Sequence, residues 1–488
     1  MKSTTITLFV GVAGLAACGA SAQQTRSTRV VTSPTGTWLV ESARTARTPI
    51  PYVFGPGIDG GTWFHSEGVA IPESVSLSQA AASAWVGEAL NQERMQRFAL
   101  PGTGIPVVEF RMGADSPSKV SAAGGADLAV ILDKSGGPFT VRAFSSASGV
   151  ELWNYPIKGN YNAVDSKPVK VSRDGSVVVA FATDTNAQLC ELFILDGPTG
   201  AYLRSWVFTG FGGSVDLTDN GGLALVAQSA NGRVIDTATG VEVFSAAANG
   251  AGGRFNISGD GSIIVLGGFD LRVHRKQGAT WVPAFTYFAP NSWFGWGSAV
   301  SRDNSTIGVM SHDYAQNYLV TATRVFDVPT GALLGTHNTT GAGQFQDSIA
   351  GAAISDDGSV LAVASWGAQN NVHPEVMVFD RAANLIDSID TPGSPFGFDM
   401  TGNGRYILVG SKAVHANIMG NGGRVTLLDR GESCYPDCND SGTLTVADFG
   451  CFQDRYVLGN LYSDCNASGT LTVADFGCFQ GKYVLGCP

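Results

Sequence analysis

Short apolar runs alternate with small-residue turns along most of this chain, and one phrase recurs. It is clearest at Val171–Ser176, which reads Val-Ser-Arg-Asp-Gly-Ser and leads into the apolar run Val177–Ala182. Ser, Asp and Gly favour a tight reversal of the backbone, and apolar runs of this length favour strands. Each copy of the phrase therefore predicts two neighbouring strands joined by a turn.

Copies of the phrase return at a nearly constant interval. The clear relatives begin at Leu217, Ile257, Val300, Ile354 and Met400, and weaker ones begin at Val75 and Val120. Successive starts lie 45, 51, 46, 40, 43, 54 and 46 residues apart. A period of this length, with about four short strands per unit, is typical of a β-propeller.

The second half of the units has its own turn pattern. The runs Phe193–Asp196, Val234–Asp236 and Val325–Asp327 each end in an Asp, and Thr-Gly follows after two further residues. This is the pattern expected for a turn between two strands. The segment Ser146–Tyr155 is similar to repeats of quinoprotein-dehydrogenase-like and WD40-like eight-bladed propellers. This resemblance implies an architecture and carries little information about function.

The number of blades depends on residues 78–100. Ala80–Trp85 and Glu88–Arg94 favour a helix by propensity, which would leave seven blades, whereas Phe98–Phe110 favours another blade. We expect an all-β propeller of eight blades. Because the last unit stops after Val425–Leu428, we expect an N-terminal strand near Thr37–Glu41 to complete its sheet and close the ring.

Two near-copies of a twelve-residue loop, Asp437–Asp448 and Asp464–Asp475, lie in the last 52 residues, offset by 27. A calcium loop needs oxygen donors at positions 1, 3, 5, 7 and 12 and a glycine at position 6. The donors here are Asp437, Asn439, Ser441, Thr443 and Asp448 in the first copy, and Asp464, Asn466, Ser468, Thr470 and Asp475 in the second, with Gly442 and Gly469 at position 6. The pattern predicts two bound calcium ions.

Apolar residues at helical spacing follow each loop: Phe449, Phe452 and Tyr456, then Phe476, Phe479 and Tyr483. A calcium loop followed by a helix, twice over, resembles a type I dockerin, in particular the cysteine-containing dockerins of planctomycete-type secreted proteins. The resemblance covers residues 434–488. It implies a cohesin-like partner on a scaffold or cell-surface protein, recognised through Val446, Ala447, Val473 and Ala474.

This tail departs from the dockerin pattern at two loop positions. Position 5 is Ser rather than Asp, and position 12 is Asp rather than Glu, so that each ion has two carboxylate ligands and its affinity should be modest. The alternative is a disulfide knot whose loops only look like calcium sites.

Six of the eight cysteines lie in this tail: Cys434, Cys438, Cys451, Cys465, Cys478 and Cys487. Small modules with little core depend on disulfides, so we expect three of them. The repeat makes Cys438 equivalent to Cys465 and Cys451 to Cys478, which favours a bond between the two unmatched cysteines at the ends. The other four pair either within or across the repeats.

The N-terminus predicts export. Met1–Ala22 has a lysine, an apolar run and a small-residue cleavage site, as in a secretory signal peptide, so the mature chain begins near Gln23. We therefore divide the chain into a signal peptide (1–22), a propeller (23–430) and a tail (431–488). Leu15–Cys18 also fits a bacterial lipobox, and a lipid anchor on Cys18 is the alternative. Either route places the protein outside a bacterium or at its surface, and no later segment predicts a membrane span.

The formal net charge is −11 and basic residues do not cluster, which argues against binding to nucleic acid. Three histidines, His312, His373 and His415, lie in loops between second and third strands. Trp293 and Trp296 precede an inner strand on what should be the same face. They would suit a sugar, or less well a metal; polar loops and packing between blades would also explain these residue types.

Catalytic motifs are scarce. The chain lacks the adjacent cysteine pair of quinone-dependent dehydrogenases, and Cys190 lies in a predicted strand. A glycoside hydrolase or lyase would need two carboxylates that face one cleft, and the sequence singles out no pair. We expect a non-catalytic propeller that binds a carbohydrate or protein ligand, with a secreted carbohydrate-active enzyme on the same propeller as the alternative.

Overall fold

A computed structural model of the chain describes residues 24–33, 36–45, 55–56, 62–68, 71–89, 94–100, 108–111, 119–133, 138–163, 167–250, 253–316, 318–341, 349–367, 373–415, 423–430, 436, 438, 444–457, 463, 465 and 471–486. Residues 1–22, including Cys18, lie outside these ranges, as do Cys434, Cys487 and all predicted calcium ligands except Asp448 and Asp475.

The chain forms an eight-bladed β-propeller, as the repeat predicted. It begins with a hairpin of β1 (Gln24–Ser33) and β2 (Gly36–Thr45), followed by β3 (Gly55–Pro56) and β4 (Thr62–Gly68). Blade 1 contains β5 (Ile71–Ser78), β6 (Ser83–Ala89), β7 (Arg94–Ala99) and β8 (Val108–Arg111). Blade 2 contains β9 (Lys119–Ala122), β10 (Ala129–Asp133), β11 (Thr140–Phe144) and β12 (Glu151–Pro156). Blade 3 contains β13 (Val169–Val171), β14 (Val177–Asp184), β15 (Leu189–Asp196) and β16 (Tyr202–Thr209).

The remaining blades follow in chain order. Blade 4 contains β17 (Gly212–Leu217), β18 (Leu223–Gln228), β19 (Asn231–Asp236) and β20 (Glu242–Ala247). Blade 5 contains β21 (Asn256–Ile257), β22 (Ile263–Gly267), β23 (Leu271–Gln277) and β24 (Thr280–Tyr287). Blade 6 contains β25 (Ser292–Trp293), β26 (Ser298–Val300), β27 (Thr306–Asp313), β28 (Val320–Asp327) and β29 (Leu333–Thr340), with a 3-10 turn at Tyr314–Gln316. Blade 7 contains β30 (Ile349–Ile354), β31 (Val360–Ser365), β32 (Val376–Asp380) and β33 (Leu385–Ile389).

Blade 8 joins the two ends of the propeller. It contains β34 (Pro395–Met400), β35 (Tyr406–Lys412) and β36 (Gly423–Asp429), and its fourth strand is β4, which pairs with β36 from Thr62↔Asp429 to Gly68↔Gly423. The short β3 pairs with β4 at the outer edge. An N-terminal strand therefore closes the ring, but the expectation that it lies near Thr37–Glu41 was wrong, because those residues pair with β1 instead. The closing strand is β4 because it ends only a few residues before the inner strand β5 and therefore lies next to blade 8.

The recurrent phrase forms the turn between the first two strands of a blade. In blade 3 the Ser172 hydroxyl donates to Asp174 Oδ1 (2.7 Å) and accepts from the Val177 amide (3.0 Å), and the same carboxylate accepts from the Ser176 amide (2.9 Å). Gly175 completes the turn at φ 74°, in the left-handed region that glycine tolerates. These bonds are local, and the turns of blades 4 to 8 repeat them with Ser or Thr at the first position and Asp or Asn at the third.

Apolar side chains of neighbouring blades pack face to face. Val130 and Leu132 of blade 2 are buried in one cluster with Val178 and Ala180 of blade 3. The middle strands therefore have both faces buried, whereas the outer strand β12 alternates between half-buried and exposed positions. Each blade is stable because its two neighbours cover it.

The tail contains two helices, α1 (Val446–Val457) and α2 (Val473–Leu485). Phe452 and Phe479 are fully buried and stack with ring centroids 4.1 Å apart. Disulfides link Cys438 to Cys451 and Cys465 to Cys478, so these four cysteines pair within the repeats. Within the described residues, no helix has the length and apolar character required to cross a membrane.

Candidate functional site

The inner strands line an axial channel whose upper cavity encloses about 160 Å³. We call the end that contains Lys167 and Phe396 the upper face; the chain enters each inner strand there. Each inner strand contributes side chains at three heights, because alternate residues of a strand point to the same side. The three heights differ in chemistry.

The middle height is a hydrogen-bonded belt between blades. Asp399 Oδ2 of blade 8 accepts from the Leu77 amide (2.8 Å) of blade 1, and Asp216 Oδ2 of blade 4 accepts from the Ile257 amide (3.1 Å) of blade 5. Serine hydroxyls do the same elsewhere, with Ser121 accepting from the Val171 amide at 3.2 Å. Asp216 and Asp399 therefore have a structural role in joining neighbouring blades.

The lower height carries ion pairs that cross the channel. Arg173 Nη2 of blade 3 lies 3.0 Å from Asp356 Oδ2 of blade 7, and Arg302 of blade 6 pairs with Asp219 of blade 4. These residues line a second cavity of about 240 Å³. Charge-assisted pairs of this kind tie distant blades together.

The upper height is basic on one side and apolar on the other. Lys119, Lys167 and Arg254 come from blades 2, 3 and 5, whereas Trp296 and Phe396 come from blades 6 and 8. We call these five residues the upper ring. With Lys170, four basic and two acidic side chains line this cavity, a positive balance inside a chain of net charge −11.

Lys167 shows how crowded these positive charges are. Its side chain reaches solvent through the channel but is surrounded by the channel wall. Confinement by the wall, with repulsion from Arg254 and Lys170, lowers its pKa to about 8. Lys170 itself lies 3.5 Å from Asp216, and that carboxylate raises its pKa. The upper ring is therefore the more electropositive part of the wall.

The structure places the two predicted tryptophans in different surroundings. Trp296 belongs to the upper ring, whereas Trp293 stacks edge-on against Phe269 (4.9 Å between centroids), which in turn contacts Tyr314 (5.5 Å). Phe269 and Tyr314 are about two-fifths exposed, so this group forms an aromatic patch on blades 5 and 6. Phe269 was not among the residues that the sequence singled out.

The three predicted histidines have different partners. His312 is buried on β27 against Tyr318, and burial lowers its pKa to about 4. His373 Nδ1 lies 3.2 Å from the Pro374 carbonyl, and His415 Nδ1 lies 3.2 Å from Glu375 Oε1. No group of three or more metal-binding side chains occurs in the described part of the chain.

Glu375 and Lys412 form a buried polar group with His415 between blades 7 and 8. Glu375 Oε2 accepts from the Thr391 amide (2.7 Å), and burial raises the pKa of this carboxyl to about 8. The Lys412 ammonium lies 5.1 Å from the Trp366 ring, and burial lowers its pKa to about 8. Buried groups with strongly shifted pKa values occur both at functional sites and in structural polar networks, so this group is a second candidate site.

In the tail, the described loop ligands Asp448 and Asp475 are fully buried at the helix N-termini. Their Oδ2 atoms each accept a backbone amide, from Thr445 and Thr472, at 2.7 Å. The docking residues Val446, Ala447, Val473 and Ala474 are all exposed. Cys190 is buried in β15 outside any disulfide, and burial raises the pKa of its thiol to about 12.

Comparisons with known proteins identify the fold. No protein-family model matches the sequence, and no curated protein matches it either. The C-terminal WD40 domain of Sif2 superposes with a TM-score of 0.51 at 15% identity, covering 73% of this chain and 96% of that one. Sqt1 from Chaetomium thermophilum superposes with a TM-score of 0.54 at 15% identity, covering 74% and 97%. At this identity the similarity establishes a WD40-like propeller architecture and nothing finer.

Proposed function

We propose that this protein is an extracellular ligand-binding propeller, attached to a larger assembly by a calcium-dependent, dockerin-like tail. One observation carries the proposal: the two halves of the tail have matching contacts. The Phe449–Phe479 and Phe452–Phe476 rings are both 5.1 Å apart, and the Phe449–Tyr483 and Tyr456–Phe476 rings are both 4.6 Å apart. A module with this internal symmetry presents one surface twice.

The exposed surface of the tail supports a docking role. Val446 and Val473 are each 83% exposed, and Val457 and Val484 are each 78% exposed. Apolar side chains this accessible in a module with so little core suit contact with a partner. The partner that the dockerin resemblance implies is a cohesin-like domain.

Calcium binding is supported by the position of the described ligands. Asp448 and Asp475 lie where a calcium loop passes into its helix, at position 12, and carboxylate oxygen is the ligand that calcium prefers. The sequence supplies the remaining donors of both loops. A bound ion in each loop would hold the start of its helix in place.

The proposed location rests on the tail disulfides and on the first 22 residues. Disulfides persist in oxidising compartments, and two of them link described residues of the tail. A signal peptide at 1–22 would deliver the chain there, and a lipid on Cys18 would hold it at the membrane surface. Mass spectrometry of the mature N-terminus separates these two routes.

For the propeller body, we propose ligand binding rather than catalysis. A hydrolase of the alternative kind needs two available carboxylates across one cleft. Asp216 and Asp399, which line the channel, accept backbone amides from the neighbouring blades, so their structural role accounts for their presence. The aromatic patch and the upper ring instead offer surfaces for a carbohydrate.

Calorimetry with calcium tests the tail. We expect the full-length protein to bind about two calcium ions, and Asp437→Ala with Asp464→Ala to abolish that heat, because each change removes the first ligand of a loop. Asp454→Ala, at an exposed position of α1, is the control and should bind normally. Lack of binding at millimolar calcium by the unaltered protein would refute a calcium-dependent tail.

A further inference from the structure

We propose that the upper ring binds a small acidic sugar, meaning a carboxylate or sulfate group carried on a single sugar ring. This inference deepens the ligand-binding role proposed above and rests on it. It is independent of calcium and of docking by the tail. The distribution of charge, one buried hydroxyl and the shape of the cavity support it.

Positive charge accumulates where the protein as a whole is negative. Lys119, Lys167 and Arg254 lie at the same height, four or five residues before the first turn of their blades. Mutual repulsion contributes to the low pKa of Lys167. An anion among these groups would relieve that repulsion, and in a confined site its attraction to them would be stronger than in open water.

Ser214 supplies a neutral donor on the same side. It belongs to blade 4, between Lys167 of blade 3 and Arg254 of blade 5, and it is one of the residues that line the cavity. Ser214 is 4% exposed, and among the described residues its hydroxyl has no hydrogen-bond partner. A buried hydroxyl without a partner is costly, and a rotation of this side chain towards the cavity would let an oxyanion at this height accept its hydrogen bond.

The opposite wall is suited to a ring. Trp296 and Phe396 are partly buried there, beside Ala352. Arg254 Nη1 donates to the Ala350 carbonyl (2.6 Å), so this guanidinium lies where the basic and apolar sides meet. A sugar has one apolar face that packs on aromatic side chains, while its acidic group would point to the basic side. A cavity of about 160 Å³ suits one such ring rather than a long chain.

Binding assays with four probes test this proposal on the full-length protein. We expect glucuronate and glucose 6-sulfate to bind, glucose to bind at least about tenfold more weakly, and inorganic sulfate to bind more weakly than either acidic sugar, because it lacks the ring. Raising the salt concentration should weaken the acidic sugars and leave glucose unchanged.

Variants assign the binding to the upper ring. Lys167→Met should weaken glucuronate about tenfold, Ser214→Ala about fivefold, and Phe396→Ala should weaken glucuronate while leaving sulfate unaffected. Lys158→Met, an exposed lysine outside the channel, should bind normally. Equal binding of sulfate and glucuronate would overturn the sugar assignment, and normal affinity in Lys167→Met would overturn the site. Calcium binding by the tail, measured on the same preparation, distinguishes either failure from failure of the docking proposal.

Discussion

Single glycines set some of the tightest constraints on this chain. Gly240 ends the turn between the third and fourth strands of blade 4 at φ 76°, and a Cβ there would clash with the Trp206 ring of blade 3. Gly200 has the same relation to Trp153, whose Nε1 donates to the Gly197 carbonyl (2.8 Å). The glycine of the Thr-Gly pattern therefore allows the turn and also leaves space for an aromatic ring of the neighbouring blade to pack against it.

Replacing Gly240 by alanine should combine two penalties. The left-handed backbone costs about 1 kcal/mol with a Cβ, and the contact with Trp206 costs about 1–3 kcal/mol more. Gly278→Ala is the matched control, since Gly278 has φ 62° and a Cβ added there would meet nothing within 4 Å. Urea unfolding gives the free energy of unfolding of both variants. Equal decreases in this free energy would show that the packing of Gly240 against Trp206 contributes nothing to stability.

Glu375 predicts a specific dependence of stability on pH. Its pKa is about 8 in the folded protein, above the ordinary value of 4.5, so its contribution to stability is full below pH 4.5 and is lost as the pH rises towards 8. His415 has a lowered pKa, and its opposite contribution is complete above about pH 6.5. Between pH 6.5 and 8 the contribution of His415 is therefore constant. Lys167 and Lys412, with pKa values of about 8, also begin to titrate there with the opposite effect on stability, so the carboxyl is isolated by the difference between the unaltered protein and Glu375→Gln.

Over that interval we expect Glu375→Gln to remove a decline of about 1–2 kcal/mol in the free energy of unfolding. The amide resembles the neutral acid and can still accept from the Thr391 amide. Glu242→Gln, at an exposed position, should leave the decline unchanged. Parallel pH profiles for the unaltered protein and Glu375→Gln would mean that Glu375 is ionised at neutral pH.

Among the elements, the two tail helices are interchangeable in their exposed residues. Because Val446-Ala447 and Val473-Ala474 are equally accessible, we expect a cohesin-like partner to dock in two orientations. Val446→Glu with Ala447→Glu should reduce affinity by only about twofold, since one of two equal surfaces remains. The same changes in both helices should abolish binding in surface plasmon resonance.

A loss of all binding in the first single-helix variant would contradict docking in two orientations. The duplication would then serve the stability of the tail alone. The matching single variant of the other helix, at Val473 and Ala474, provides the control for asymmetry.

The elements that sequence predicts best are those held by local bonds. The turn at Val171–Ser176 is determined by hydroxyl, carboxylate and glycine within six residues, so its clear copies mark blades 3 to 8, and the weaker copies at Val75 and Val120 correspond to blades 1 and 2. The structure corrects the helix alternative at Ala80–Trp85, because β6 begins there, at Ser83. Closure by β4 is a pairing between residues far apart in sequence, and local pattern alone could not choose it.

The candidate site is harder to predict because it depends on register around the ring. Lys119, Lys167 and Arg254 are scattered along the sequence and resemble ordinary surface residues. Counting back from the first turn does not align them, because Lys119 and Arg254 lie four residues before it and Lys167 lies five, and residues one apart on a regular strand point to opposite sides. The aromatic patch had no signal in the sequence either, because Phe269 and Trp293 meet only through contact between blades.

For the whole molecule, closure by β4 should determine cooperative folding. A chain that starts at residue 55 keeps β4 and should unfold in urea as the full-length protein does. A chain that starts at residue 71 loses the fourth strand of blade 8 and should be markedly less stable, because β36 then has an open edge. A synthetic peptide of residues 55–70 should restore stability to the shorter chain.

Equal stability of the two truncated chains would show that β4 is dispensable. A loss in both would instead assign the closing role to the hairpin of β1 and β2. Thermal unfolding followed by circular dichroism distinguishes these outcomes.

The ion pairs at the lower height have a mechanical consequence. Blades 3 and 7 face each other across a ring of eight, so the bond from Arg173 to Asp356 acts as a strut along a diameter, and the bond from Arg302 to Asp219 acts as a shorter chord. Two ion pairs that cross the channel in different directions oppose any change of the ring of blades from a circular to an oval cross-section. We therefore expect the channel to keep its width when a ligand enters. It would select ligands by size, and the blades would not close around them.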